Sequence, residues 1–182
     1  MFQKIMRVLR AIVLKFRLGK KCRLEGIPCC EKGSKINIKK GFLSIGRGFH
    51  FRSGAYIAVV CDGKMVVDSG VFVNRNCSFV CQKAITIGAN CSFGPNVVVY
   101  DHDHRFGING IEKGYKTTPV IIEANCWIGA GAIILRGTHI GEGSVIGAGT
   151  VVQGVIPPHS LVTPLGGRTL SIVPIEDRDR EI

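Results

Sequence analysis

Within the stretch Val97–Ile122, "VVVYDHDHRFGINGIEKGYKTTPVII", two histidines alternate with two aspartates: Asp101, His102, Asp103 and His104. An imidazole titrates near neutral pH, so it can take a proton from a hydroxyl or amine while that group attacks an electrophile. An adjacent carboxylate, Asp101 or Asp103, can orient the ring or raise its basicity. Backbone N–H groups can stabilise the oxyanion that such an attack creates. The bland alternative is a pair of solvated loop histidines.

The surroundings make the cluster more than a chance pair. Apolar residues recur every six positions on both sides of it: Ile45, Phe51, Ile57; Val67, Val73, Phe79; Ile87, Phe93, Val99; then Ile122, Ile128, Ile134; Ile140, Ile146, Val152. Glycine often follows, as at Gly88, Gly94, Gly129 and Gly141, and four residues past each anchor the side chain is usually small. Side chains two apart share one face of a strand, so a six-residue unit makes one short strand and a turn. Three units close a triangular coil of about 18 residues, and the next coil stacks on it at about 4.8 Å. A helix is excluded, because a period of six does not fit 3.6 residues per turn and the 24 glycines would destabilise it. After Val99 the next anchor, Ile122, comes 23 residues on. A loop of that length in a compact solenoid is usually functional, and Gly107, Gly110 and Gly114 make this one pliant. It is expected to leave the prism and reach a neighbouring subunit.

The repeat "IGAGAI", "IGEGSV", "IGAGTV" resembles that of the hexapeptide-repeat acyltransferases over roughly residues 36–160. The resemblance implies an all-β fold, a left-handed parallel β-helix of about five triangular coils. It also implies three-fold association, with active sites between the subunits of a homotrimer. On this reading residues 1–35 are a basic N-terminal helix and lead-in. Residues 36–160 are the β-helix domain with a protruding loop at about 100–120, and 161–182 are a C-terminal tail that ends in the polar segment "IEDRDREI".

Site residues follow from the same resemblance, to sugar acetyltransferases of the maltose/galactoside type. There a "PNV" segment is followed seven residues later by the catalytic histidine. Here Pro95-Asn96-Val97 leads to His104, the expected general base. His102, expected to point to the opposite face, is the fallback base or an acceptor contact, with Asp101. Asn74 matches an asparagine that holds the acceptor, and Trp127, the one tryptophan, matches a residue beside the transfer site and should face outward. Gly129, Ala130 and Ala148 match positions along the thiol arm of coenzyme A. Gln153 and Gly154 stand where a Thr-Lys or Ser-Lys pair meets the nucleotide phosphate, so that cation is missing, and Arg168 matches a later basic residue there. Gln82 replaces an acidic contact to the sugar acceptor.

The implied reaction is direct transfer of an acetyl group from acetyl-coenzyme A, a co-substrate, to a carbohydrate hydroxyl in bacterial surface-polysaccharide synthesis. The expected acceptor is a carbohydrate or lipid-linked glycan, and Gln82 argues against a free maltose-like or galactoside sugar. The alternatives are N-acetylation of a nucleotide-linked amino sugar and a non-catalytic scaffold. Serine acetylation is disfavoured because no long helical N-terminal domain is visible. A metal lyase of the γ-carbonic-anhydrase kind needs three histidines, two of them five apart. His50, His102, His104, His139 and His159 offer no such spacing, so no metal is expected.

Charge is lopsided. Residues 1–52 hold 14 Lys/Arg against two Asp/Glu, while residues 53–182 hold 10 against 11. With no zinc-finger or RNA-recognition signature, nucleic acid is not the expected partner. Residues 2–18, "FQKIMRVLRAIVLKFRL", have helical periodicity, with Ile5, Val8, Leu9, Ile12, Val13 and Phe16 on one face. This helix is too short and too charged to span a bilayer. It is expected either to cap the open end of the prism or to lie peripherally on the inner face of the membrane. Eight cysteines without a secretory signal point to a reducing, cytoplasmic compartment.

Overall fold

The computed structural model describes residues 2–108, 110–165 and 169–174. The six-residue beat builds a three-faced parallel β-solenoid. Face A stacks seven strands: Cys22–Leu24, Phe42–Ile45, Lys64–Val67, Ala84–Ile87, Val120–Ile122, His139–Ile140 and Val155–Ile156. Face B runs from Cys29–Cys30 through His50–Phe51, Phe72–Val73, Ser92–Phe93, Trp127–Ile128 and Val145–Ile146 to Ser160–Leu165. Face C stacks Lys35–Ile38, Tyr56–Val59, Ser78–Cys81, Val98–Tyr100, Ile133–Ile134 and Val151–Val152.

Register puts like on like. On face A, Leu24, Ile45, Val67, Ile87, Ile122, Ile140 and Ile156 form one inward column. Face B aligns Cys30, Phe51, Val73, Phe93, Ile128, Ile146 and Val162. These columns, with the face C column from Ile36 to Val152, fill the interior; Phe79 meets Phe93 edge to face at 5.1 Å. The small positions lie at the corners, where buried thiols donate to carbonyls of the next turn: Cys77 to Gly94 at 3.0 Å and Cys91 to Glu123 at 3.0 Å. All eight cysteines are free, and burial pushes the Cys30 thiol up to about 12. Three residues past many anchors the backbone turns left-handed. Asparagine occupies that place at Asn76, Asn90, Asn96 and Asn125, with φ of 57–62°.

The solenoid has six turns and part of a seventh, one more than the sequence suggested. The extra turn precedes Ile45, where Leu24, Cys30 and Ile36 keep the beat among lysines that disguise it. The C-terminal region also differs from a plain tail: Thr169–Pro174 folds back antiparallel along Ser160–Leu165. The segment "IEDRDREI" lies outside the described residues.

Glycine after an anchor has a steric cause. A Cβ on Gly88 would sit 2.6 Å from the Ala124 N and 2.7 Å from the Glu123 carbonyl carbon in the next turn. Any side chain there forces adjacent turns apart. Gly88→Ala is therefore expected to cost about 1–3 kcal/mol and to lower Tm by several degrees in a thermal melt. An unchanged Tm would mean that stacking is looser than described.

Candidate active site

The lapse in the repeat is a β-hairpin. His102–Gly107 pairs antiparallel with Gly110–Thr117, leaving the solenoid at the corner between faces C and A. A bulge between His104 and Arg105 is accommodated opposite by Gly114, whose φ of +101° suits glycine. The Thr118 N–H donates to the Asp101 carbonyl at 2.9 Å and closes the base.

Asp101 anchors this exit. In the column below it stand Ile38, Val59 and Cys81, all apolar. Asp101 takes the next place and is fully buried. Its carboxylate accepts from the N–H groups of Gln82, at 2.9 and 3.1 Å, Lys83 at 2.7 Å and Ala84 at 2.8 Å. The reason is local. At the corner one turn lower, the Val60 and Lys64 N–H groups donate to carbonyls of the following turn. Above residues 82–84 the chain departs into the hairpin, so a side chain supplies the acceptor instead. Buried donors left without a partner would cost about 1–3 kcal/mol each.

The same carboxylate holds His102, whose Nδ1 lies 3.1 Å from Asp101 Oδ1. A carboxylate only accepts, so Nδ1 is the donor to it, and a ring that carries a single proton presents the Nε2 lone pair on its other side. The ring stacks on Tyr100 at 5.6 Å and meets the edge of Tyr115 at 5.5 Å, leaving the side chain 12 % exposed. His104 is exposed, with its ring 4.7 Å from that of Tyr115.

The two imidazoles thus share one face of the hairpin, against the expectation that they oppose each other. Residues two apart in a strand project to the same side, and both rings pack on Tyr115. Asp103, between them, bonds to Arg136 in the turn above. Of the two aspartates, Asp101 is the one that orients a histidine. The sequence did not single out Tyr100, Tyr115 or Arg136; alternation along 100, 102 and 104 and along the facing strand is the signal for the two tyrosines, and Arg136, in the solenoid turn above, carries none.

The remaining expected site residues divide between two edges. Asn74, Gly129, Ala130 and Ala148 run along the corner between faces B and C. There Asn74 N–H donates to the Phe93 carbonyl at 3.1 Å, Gly94 N–H to Ile128 at 2.8 Å and Gly129 N–H to Ile146 at 2.7 Å. Asn74 Oδ1 accepts from Arg75 N–H at 2.9 Å. Trp127 faces outward on face B, 57 % exposed, between Ser92 and Val145. Gln153 and Gly154 follow the face C strand Val151–Val152, at the corner from which the hairpin leaves two turns earlier. The Gln153 amide reaches the Arg136 carbonyl at 3.4 Å. Arg168 lies outside the described residues. Within one chain, then, the histidines stand at one corner, and Asn74, Ala130 and Ala148 at another. Among the described residues no group of three His, Cys, Asp or Glu is placed to hold a metal ion.

Residues 119–153 match the family model described as the hexapeptide repeat of succinyl-transferase. The galactoside O-acetyltransferase of Lactococcus lactis is 36 % identical over 122 residues, 66 % of this chain and 58 % of that protein. The chain spans about half the length of the curated relatives it matches. Among solved structures, a mutant of AntD, an N-acyltransferase from Bacillus cereus, in complex with dTDP and coenzyme A, superposes with a TM-score of 0.75. Its identity is 19 %, with 93 % of this chain and 94 % of that one covered. A galactoside acetyltransferase in complex with coenzyme A gives 0.55 at 20 % identity, covering 97 % and 84 %. The repeat and the solenoid it winds agree with the fold of these structures, and residues 119–153 match a hexapeptide-repeat family model.

Proposed function

We propose that this chain is an acetyl-coenzyme-A-dependent O-acetyltransferase acting on a carbohydrate hydroxyl. The observation that carries the reading is the histidine pair at the hairpin base, one ring fixed by a buried carboxylate and the other open to a ligand. In the proposed step His104 Nε2 or Nδ1 takes the acceptor's hydroxyl proton as its oxygen attacks the thioester carbonyl. The C–S bond then breaks, and the imidazolium returns the proton to the departing thiolate, giving free coenzyme A and an acetyl ester. No covalent enzyme intermediate forms. The relatives' names, galactoside O-acetyltransferase among them, support this reaction class, and a glycan or lipid-linked glycan of a bacterial surface polysaccharide is the proposed acceptor.

A second assignment of the base has a specific observation behind it. His102 is the ring that a carboxylate orients, with Nε2 left as the acceptor. The two readings separate by mutation. With His104 as the base, His104→Gln lowers kcat by about 10²–10⁴-fold at unchanged Tm, and His102→Gln costs far less. The reverse order would transfer the role to His102.

We further propose that active sites form between copies in a homotrimer. The hairpin of one copy would lie against the B–C corner of the next, and such a head-to-tail contact closes into a ring when each rotation is a third of a turn. Exposed Phe106, Ile108 and Ile111 near the hairpin tip suit that contact. The acetyl donor's thiol arm would run along Ala130 and Ala148, with Trp127 and Asn74 beside the acceptor.

Two tests follow. His104→Ala and Ala130→Trp chains, each inactive alone, should regain activity when coexpressed, because a mixed assembly contains intact hairpin–corner pairs. No recovery would place the whole site on one chain. Asp101→Asn is expected to lower Tm, since one amide oxygen replaces two carboxylate oxygens before three N–H groups and its NH₂ faces His102. If Asp101 positions the base, kcat should fall with KM for acetyl-coenzyme A nearly unchanged; an unaltered kcat would confine Asp101 to stability.

A further inference from the structure

The helix Phe2–Leu18 has apolar residues on two sides, and the solenoid uses the side that the sequence pattern did not favour. Ala11 and Leu18 are buried, and Leu14 packs against the core beneath the first turn. Arg17 donates to the Ile36 carbonyl at 2.7 Å, which fixes the helix to face C. The helix therefore covers the end of the solenoid, as one of its two expected roles required, but with the opposite face inward.

Among the described residues nothing packs on the outer side. Leu9, Ile12, Val13 and Phe16 follow at i, i+3, i+4 and i+7, one stripe of a helix. They are 49, 46, 64 and 83 % exposed, with Val8 at the margin. A contiguous patch of this kind on a soluble surface marks an interaction site. Its surroundings are cationic: Lys15, Arg17, Lys20 and Lys21 are exposed, and residues 1–24 contain no Asp or Glu. The next two acids along the sequence are each paired, Glu25 with Arg23 at 3.2 Å and Glu31 with Arg52 at 2.8 Å.

Charge decides between occupants. A second copy laid on the stripe would bring two sets of lysines and arginines together. A layer of anionic lipid headgroups would neutralise them, while the four apolar side chains enter the acyl boundary and the lysine stems bury beside them. The helix is not long and apolar enough to cross a membrane, which leaves it lying in the interface. We propose that the stripe Leu9–Ile12–Val13–Phe16, with its basic margin, seats the protein on an anionic bilayer surface, with the solenoid attached through the opposite side of the helix. This does not depend on which reaction the chain catalyses.

The test is co-sedimentation of the full chain with vesicles of phosphatidylcholine alone or mixed with phosphatidylglycerol. Binding is expected to the mixed vesicles and to weaken as salt rises. The double variant Val13→Asp/Phe16→Asp should bind at least tenfold more weakly at an unchanged Tm. Lys15→Gln and Lys20→Gln should each cost about fivefold. Absence of binding to the anionic vesicles would overturn the proposal, and so would equal binding by the double variant. If the chain ignores vesicles but Val13→Asp/Phe16→Asp changes its sedimentation coefficient, a second copy is the occupant instead.

Discussion

The structure depends on register. Every turn places a large apolar residue directly over its counterpart in the turn below, as in the face B column from Cys30 to Val162. Backbone hydrogen bonds of about 2.7–3.1 Å at the corners hold that alignment. A slip by one residue would turn an entire strand's core side chains outward. Because the columns are straight, each corner becomes a continuous edge, and residues far apart in sequence, such as Asn74 and Ala148, fall on one line.

Asp101 is the exception that turns this regular object into a site. It occupies a core column and replaces an apolar side chain with a carboxylate, in surroundings where an unpaired charge would be prohibitive. It is tolerated because the departure of the hairpin strands the N–H groups of residues 82–84, and Asp101 collects them. One residue thus completes the turn below, fixes the hairpin base and holds His102. At this corner the chain takes ten residues from anchor to anchor in a lower turn, Ile57 to Val67, with Val59 and Met65 buried, and six in an upper one, Ile134 to Ile140, with Thr138 buried. The hairpin leaves at the junction between the two.

Much of this was legible in the chain. Periodicity exposed the solenoid because burial acts on every sixth residue directly. The excursion at 100–120 was visible as a gap, and the outward-facing Trp127 followed from its place beside an anchor. The first turn was not, since Cys30 and the flanking lysines hide the Leu24–Cys30–Ile36 beat. Nor was the hairpin, because strand pairing within residues 102–117 is set by alternation in a mostly exposed segment that carries no core signal. His102 and His104 share a side for a simpler reason: residues two apart in an extended chain project the same way, so their spacing alone argues against opposite faces. The helix misled for another reason: both of its sides are apolar, and sequence alone does not say which one the prism takes.

The division of the site between two edges is the claim on which the functional account stands. A crystal structure of the protein grown with coenzyme A tests it most directly. The account predicts the pantetheine arm along Ala130 and Ala148 of one copy, its sulfur within roughly 4 Å of an imidazole on the hairpin of another. Coenzyme A bound wholly within one chain, or sulfur remote from both His102 and His104, would contradict it.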